Sequence, residues 1–115
     1  MSSGASEDNG ASAVSQHVLY IELWVSLASL LRSYTAAHGL NGNRQATVEL
    51  GDDRITVRQG AAWLQLERRE SQVRWRRENG TSGNMELTEG GGLRTAGHEE
   101  AMDMAAEAWA RELMQ

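Results

Sequence analysis

The sequence predicts an α+β domain, a two-layer sandwich in which an N-terminal and a C-terminal helix cover one face of a five-stranded antiparallel meander. Three observations carry that expectation. Apolar residues recur at helical spacing between Val14 and His38, the period shortens to two between Gln45 and Thr88, and a second amphipathic helical pattern runs from about His98 to Met114.

In the first segment Val14, Val18, Ile21, Val25 and Ala28 fall on one row and Leu19, Leu23, Leu27, Leu30, Leu31 and Tyr34 on another, with no glycine before Gly39. The polar stripe is Ser15, Glu22, Ser26, Ser29 and Ser33, so apolar side chains occupy more than half of the circumference. One sheet and one neighbouring helix cannot cover that much. The excess is expected around Tyr20, Trp24 and Leu27, as a self-association surface for a homodimer. Gly39 and the Asn41-Gly42-Asn43 cluster end the helix.

The strand segments alternate at Ala46/Val48/Leu50, Ile55/Val57, Ala62/Leu64/Leu66, Val73/Trp75 and Met85/Leu87. Turn signals at Asp52-Asp53, Gln59-Gly60, Arg69-Glu70 and Asn79 to Gly83 are short enough to require antiparallel hairpins. Gly90-Gly91-Gly92 reads as a hinge. In the closing helix Ala101, Met102, Ala105, Trp109 and Leu113 form the apolar face. Residues 1–13 are small, polar and aperiodic, and are expected to be a disordered N-terminal tail, leaving 14–115 as a single domain. The 115 residues support one core.

Composition removes whole classes of chemistry. There is no Cys, which excludes disulfides, thiolate metal sites and a cysteine nucleophile, and all eleven basic residues are Arg, which excludes a Schiff-base or P-loop lysine. Net charge is -5, so an anionic partner is repelled unless arginines segregate onto one face. The start of the chain lacks a secretory signal pattern, and the longest apolar stretch, Val18 to Leu31, contains Glu22 and is shorter than the about 20 residues that cross a bilayer. A cytoplasmic location without a membrane partner is therefore expected.

Segregation is what strand alternation predicts. Arg54, Arg58, Trp63, Arg74 and Arg76 all point away from the helices, together with Thr47, Glu49, Thr56, Gln65, Glu67 and Glu86. Pairing through the turns named above sets Trp63 opposite Arg76, Gln65 opposite Arg74, Arg54 beside Gln65 and Arg76 opposite Glu86. An aromatic ring among guanidiniums suits a carboxylate-rich peptide, single-stranded nucleic acid or another anion. The same face would equally be a solvated, internally compensated one if Arg76 stacks on Trp63 and pairs with Glu86.

Arg58-Gln59 shortly followed by Trp63-Leu64, within the order helix, meander, helix, resembles bacterial frataxins, which place two helices on one side of an antiparallel sheet. That resemblance implies an acidic iron-binding ridge on the first helix, where this chain carries only Glu22. It is an analogy of architecture and implies no function here.

Glu99, Asp103 and Glu107 would form an i, i+4, i+8 ladder on the closing helix, a pattern that can hold a divalent cation but also describes a solvated face with acids near a helix N-terminus. His17, His38 and His98 do not cluster. No nucleophile elbow, His-Glu-x-x-His or dinucleotide-binding glycine motif is present, and Asp52-Asp53 belongs to a turn. The expectation is a small non-enzymatic protein-interaction domain, without cofactor or metal, that self-associates or docks a protein partner through its first helix or outer sheet face. The alternative is a binder of an anionic ligand or nucleic acid through the Arg/Trp face.

Overall fold

The computed structural model describes the backbone of residues 2–40 and 42–115 and the side chains of 16–40 and 42–115. The elements are α1 (Ser2–Gly39), β1 (Thr47–Leu50), β2 (Arg54–Gln59), β3 (Ala62–Arg69), β4 (Gln72–Arg77), β5 (Ser82–Leu87), β6 (Gly92–Thr95), β7 (His98–Ala101) and α2 (Met102–Leu113). All strands belong to one sheet in sequential order, each antiparallel to the next. The α+β order of helix, antiparallel meander and helix matches the sequence reading, but the sheet has seven strands rather than five.

The two additional strands come from the stretch read as a glycine hinge and the start of a helix. Gly91, at φ +85°, closes a three-residue loop in which Thr88 N–H donates to the Gly92 carbonyl at 2.9 Å and Gly91 N–H to the Thr88 carbonyl at 3.0 Å. The β4–β5 hairpin repeats this geometry, with Gly80 at φ +89° and Arg77 N–H donating to the Thr81 carbonyl at 2.9 Å. Ala96 and Gly97, both at positive φ (50° and 81°), make the two-residue β6–β7 turn whose twist suits a hairpin. Consequently α2 starts at Met102, not His98. Glu99 lies on β7, so the ladder with Asp103 and Glu107 does not exist. Among the described residues no cluster of three or more His, Asp or Glu is placed to hold a metal ion.

The α1 backbone begins at Ser2, ahead of the Val14 start read from periodicity. The expected tail over 1–13 falls on residues whose side chains lie outside those described. Among the described residues no helix is long and apolar enough to cross a membrane.

Strand parity in β2 to β5 is as read. Ile55, Val57, Leu64, Leu66, Val73 and Leu87 are buried, and with Leu93 of the additional strand β6 they join Trp24, Leu27, Ala28 and Leu31 of α1 and Met102, Ala105, Ala106, Trp109 and Leu113 of α2 in one cluster. Each large side chain so buried contributes about 1.5 to 3 kcal/mol. Trp75 is only half-buried, packed against the cluster.

Register differs from the sequence reading. Gln59 pairs with Ala62 and Arg69 with Gln72, so the turns are Gly60-Ala61 and Glu70-Ser71, each one residue later than expected. Gly60 (φ 60°) and Glu70 (φ 55°) supply the left-handed first turn position. A one-residue move of a turn keeps every side chain on its face but slides its cross-strand partner by two residues.

Candidate binding face on the sheet

The corrected register defines what surrounds each outward side chain. Arg58 is opposite Trp63, Thr56 opposite Gln65, and Arg54 opposite Glu67. Gln65 is opposite Arg76, and Glu67 opposite Arg74. Trp63 therefore neighbours Arg58, not Arg76, and Arg76 faces Gln65 and Ser82 instead of Glu86. The Arg76 guanidinium donates through Nε and Nη2 to Gln65 Oε1 at 3.1 and 2.6 Å, and lies 3.4 Å from Glu67 Oε1. Glu86 is taken by Arg94 at 3.2 Å and by the Gln72 amide at 3.1 Å.

The face is thus partly compensated. Glu67 stands between Arg54, at 3.8 Å, and Arg76, while Arg58, Arg69 and Arg74 have no carboxylate within 4.0 Å among the described residues. Trp63 is half-buried, and with Thr56, Arg58, Gln65 and Arg76 it lines a shallow depression. Thr56 forms the floor; although outward-facing it is only 7% exposed, beneath the long side chains around it.

Trp63 is held from its backbone. Its N–H donates to Glu78 Oε1 at 3.0 Å, and Glu78 N–H donates to the Trp63 carbonyl at 3.3 Å. The Trp63 N–H, aided by the Arg77 guanidinium 3.2 Å away, lowers the Glu78 carboxyl below its usual 4.5.

Of the residues assigned to self-association, Trp24 (2% exposed) and Leu27 (0%) are buried in the chain's own core, and Tyr20 packs against it. Among the described residues the uncovered apolar stripe of α1 is Val18, Ile21 and Val25, each at least 40% exposed, with Leu50 on β1 lining the same shallow groove as Ile21 and Val25.

Two arginines escaped the sequence reading because they occupy inward parity. Arg68 continues Leu64-x-Leu66-x-Arg68 and is 9% exposed; its guanidinium lies 5.9 Å from the Trp24 ring centroid, donates to the Glu70 carbonyl at 2.9 Å and is 3.9 Å from Asp53. Arg77 continues Val73-x-Trp75-x-Arg77 and pairs with Glu78 and, at 3.5 Å, with Glu112 of α2. Alternation alone was the signal that could have found both.

No protein-family model, no curated protein and no solved structure matches this chain. The architectural analogy to frataxins gains no support from these comparisons.

Proposed function

We propose that this chain is a small non-enzymatic protein-interaction domain, with both helices on one face of a two-layer structure, that docks an acidic segment of a protein partner on the opposite face of the sheet. The observation that carries the reading is the Arg58–Trp63 pair. The half-buried Trp63, its backbone N–H bonded to Glu78, stands opposite Arg58 across the β2–β3 pair and lines one depression with it, and no described carboxylate lies within 4.0 Å of the Arg58 guanidinium. Desolvating an aromatic anchor next to an uncompensated Arg is how interface hot spots are built, and charge complementarity selects an acidic partner. Net charge is -5, so the face has the opposite sign to the chain as a whole.

The alternative, an anionic ligand or nucleic acid on the same face, differs in salt response. Phosphate neutralisation along a strand releases condensed counterions and gives a steep salt slope, whereas an acidic peptide anchored on Trp63 loses only its screened charge contacts and weakens less steeply as salt rises. A second reading, self-association, is favoured by the Val18, Ile21 and Val25 stripe.

The test uses Trp63→Ala and Arg58→Glu, each checked for an unchanged melting curve, against a glutamate-rich peptide and a single-stranded oligonucleotide. Loss of peptide binding in folded variants supports the reading. Retention of peptide binding in folded Arg58→Glu overturns it, and exclusive oligonucleotide binding replaces it with the alternative.

A further inference from the structure

Beside the Trp63 depression, at the end of the sheet where β2 begins and β3 turns into β4, a second and larger depression is lined by Asp53, Arg54, Glu67, Arg68, Arg69, Gln72 and Arg74. The geometry points to this depression as a binding site for a phosphate monoester, a site separate from the Arg58–Trp63 pair, with Arg54, Arg69 and Arg74 in outward positions like that pair and Arg68 at its edge from the inward row.

Register places the groups. Arg54, Glu67 and Arg74 lie in one row across three strands, so the two arginines start about 10 Å apart, at about 4.8 Å per strand, and flank Glu67. Arg69 is two residues along β3 from Glu67 and so shares its face. Guanidiniums on long stems from three sides can therefore converge on one group seated between them.

Charge selects the ligand class. The lining holds four guanidiniums and two carboxylates, a surplus of two positive charges. Asp53 is engaged by Arg68 at 3.9 Å, and Glu67 by Arg54 at 3.8 Å and Arg76 at 3.4 Å. The surplus is therefore carried by Arg69 and Arg74, the two lining arginines without a described carboxylate partner. A carboxylate ligand brings one charge and one planar edge. A phosphate monoester brings about two charges at neutral pH and three acceptor oxygens, which matches two unpaired guanidinium forks with a third near them. Both residues are exposed, and the pairing of β3 with β4 fixes the spacing of the backbone positions from which their side chains rise.

The experiment titrates the full chain with phenyl phosphate, with inorganic phosphate and with acetate in low-chloride buffer, following backbone amide shifts. Phenyl phosphate and inorganic phosphate distinguish an esterified from a free source. Saturable shifts around residues 67–74 are expected with phenyl phosphate and not with acetate, and shifts with inorganic phosphate alone would contradict a monoester site. Affinity should fall at least about tenfold in Arg69→Gln and in Arg74→Gln, and should weaken below pH 6, near which the monoester loses its second charge. Phosphate affinity unchanged in both folded variants, or acetate binding as tightly as phenyl phosphate, would overturn the inference. Trp63→Ala separates this site from the docking face: it should abolish peptide docking and leave phosphate affinity intact, and loss of phosphate binding in that folded variant would contradict a separate site.

Discussion

Trp75 and Gly83 lie directly opposite each other across the β4–β5 pair, and the missing side chain of Gly83 gives the Trp75 indole its place. A Cβ at Gly83 would fall 2.6 Å from the indole Nε1, closer than such atoms approach. The same indole meets Trp109 of α2 edge-on, with centroids 6.2 Å apart and ring planes at 62°, so a glycine in a strand sets part of the contact between sheet and helix. Gly83→Ala should therefore cost about 1 to 3 kcal/mol through overpacking. Denaturant melting checks this, and an unchanged midpoint would contradict it.

Leu66 is 0% exposed between Ile55 and Trp75 in the cross-strand register. Leu66→Ala should destabilise the chain by roughly 2 to 5 kcal/mol. The matching outward truncation, Gln65→Ala, should cost well under half as much, because it removes exposed hydrogen bonds to Arg76 and no core volume. Equal losses would mean that the two faces of β3 are reversed.

Glu78 gives a pH dependence of known sign. Its carboxyl titrates below the usual 4.5 in the folded chain, chiefly through the Trp63 N–H bond. The folded state thus favours the ionised form, and the resulting stability is present above pH 4.5 and lost as pH falls through the lowered value. Wild type should melt above Glu78→Gln at pH 7, and the gap should narrow as pH drops below 4.5 in thermal melts. A gap constant from pH 7 to pH 3 would contradict the assignment.

The α1 stripe predicts weak self-association driven by Val18, Ile21 and Val25, not by the buried Trp24 and Leu27. Light scattering should exceed 12.6 kDa at high concentration and return to it in Ile21→Glu. A wild-type mass of 12.6 kDa throughout would remove self-association from the account.

Much of the fold was legible because burial imposes a period. Leu64, Leu66 and Val73 alternate with Gln65, Glu67 and Arg74, and this fixed both the inward set and the Arg/Trp face. The register was not legible, since it depends on which residue takes the left-handed turn position; Glu70 does so with a side chain that carries no turn preference. Strands β6 and β7 were hidden for another reason. Leu93 is their only buried large apolar residue, and Glu99-Glu100 mimics the acidic start of a helix. The uncompensated state of Arg58 follows from a register that sets it opposite Thr47 and Trp63, and that of Arg74, which stands opposite Glu67, from Glu67 being turned to Arg54 and Arg76; alternation encodes neither.

The account turns on Trp63 as the anchor of a docking face, and the four tryptophan indole N–H resonances report on it separately. Titrating the nitrogen-15-labelled chain with a glutamate-rich peptide should move the Trp63 indole signal saturably, while those of Trp24 and Trp109, which lie in the core, stay in place. In folded Arg58→Glu the Trp63 shift should disappear. A Trp63 signal that does not respond to the peptide in the wild-type chain, or that responds equally in Arg58→Glu, would contradict the proposed docking of an acidic partner on this face.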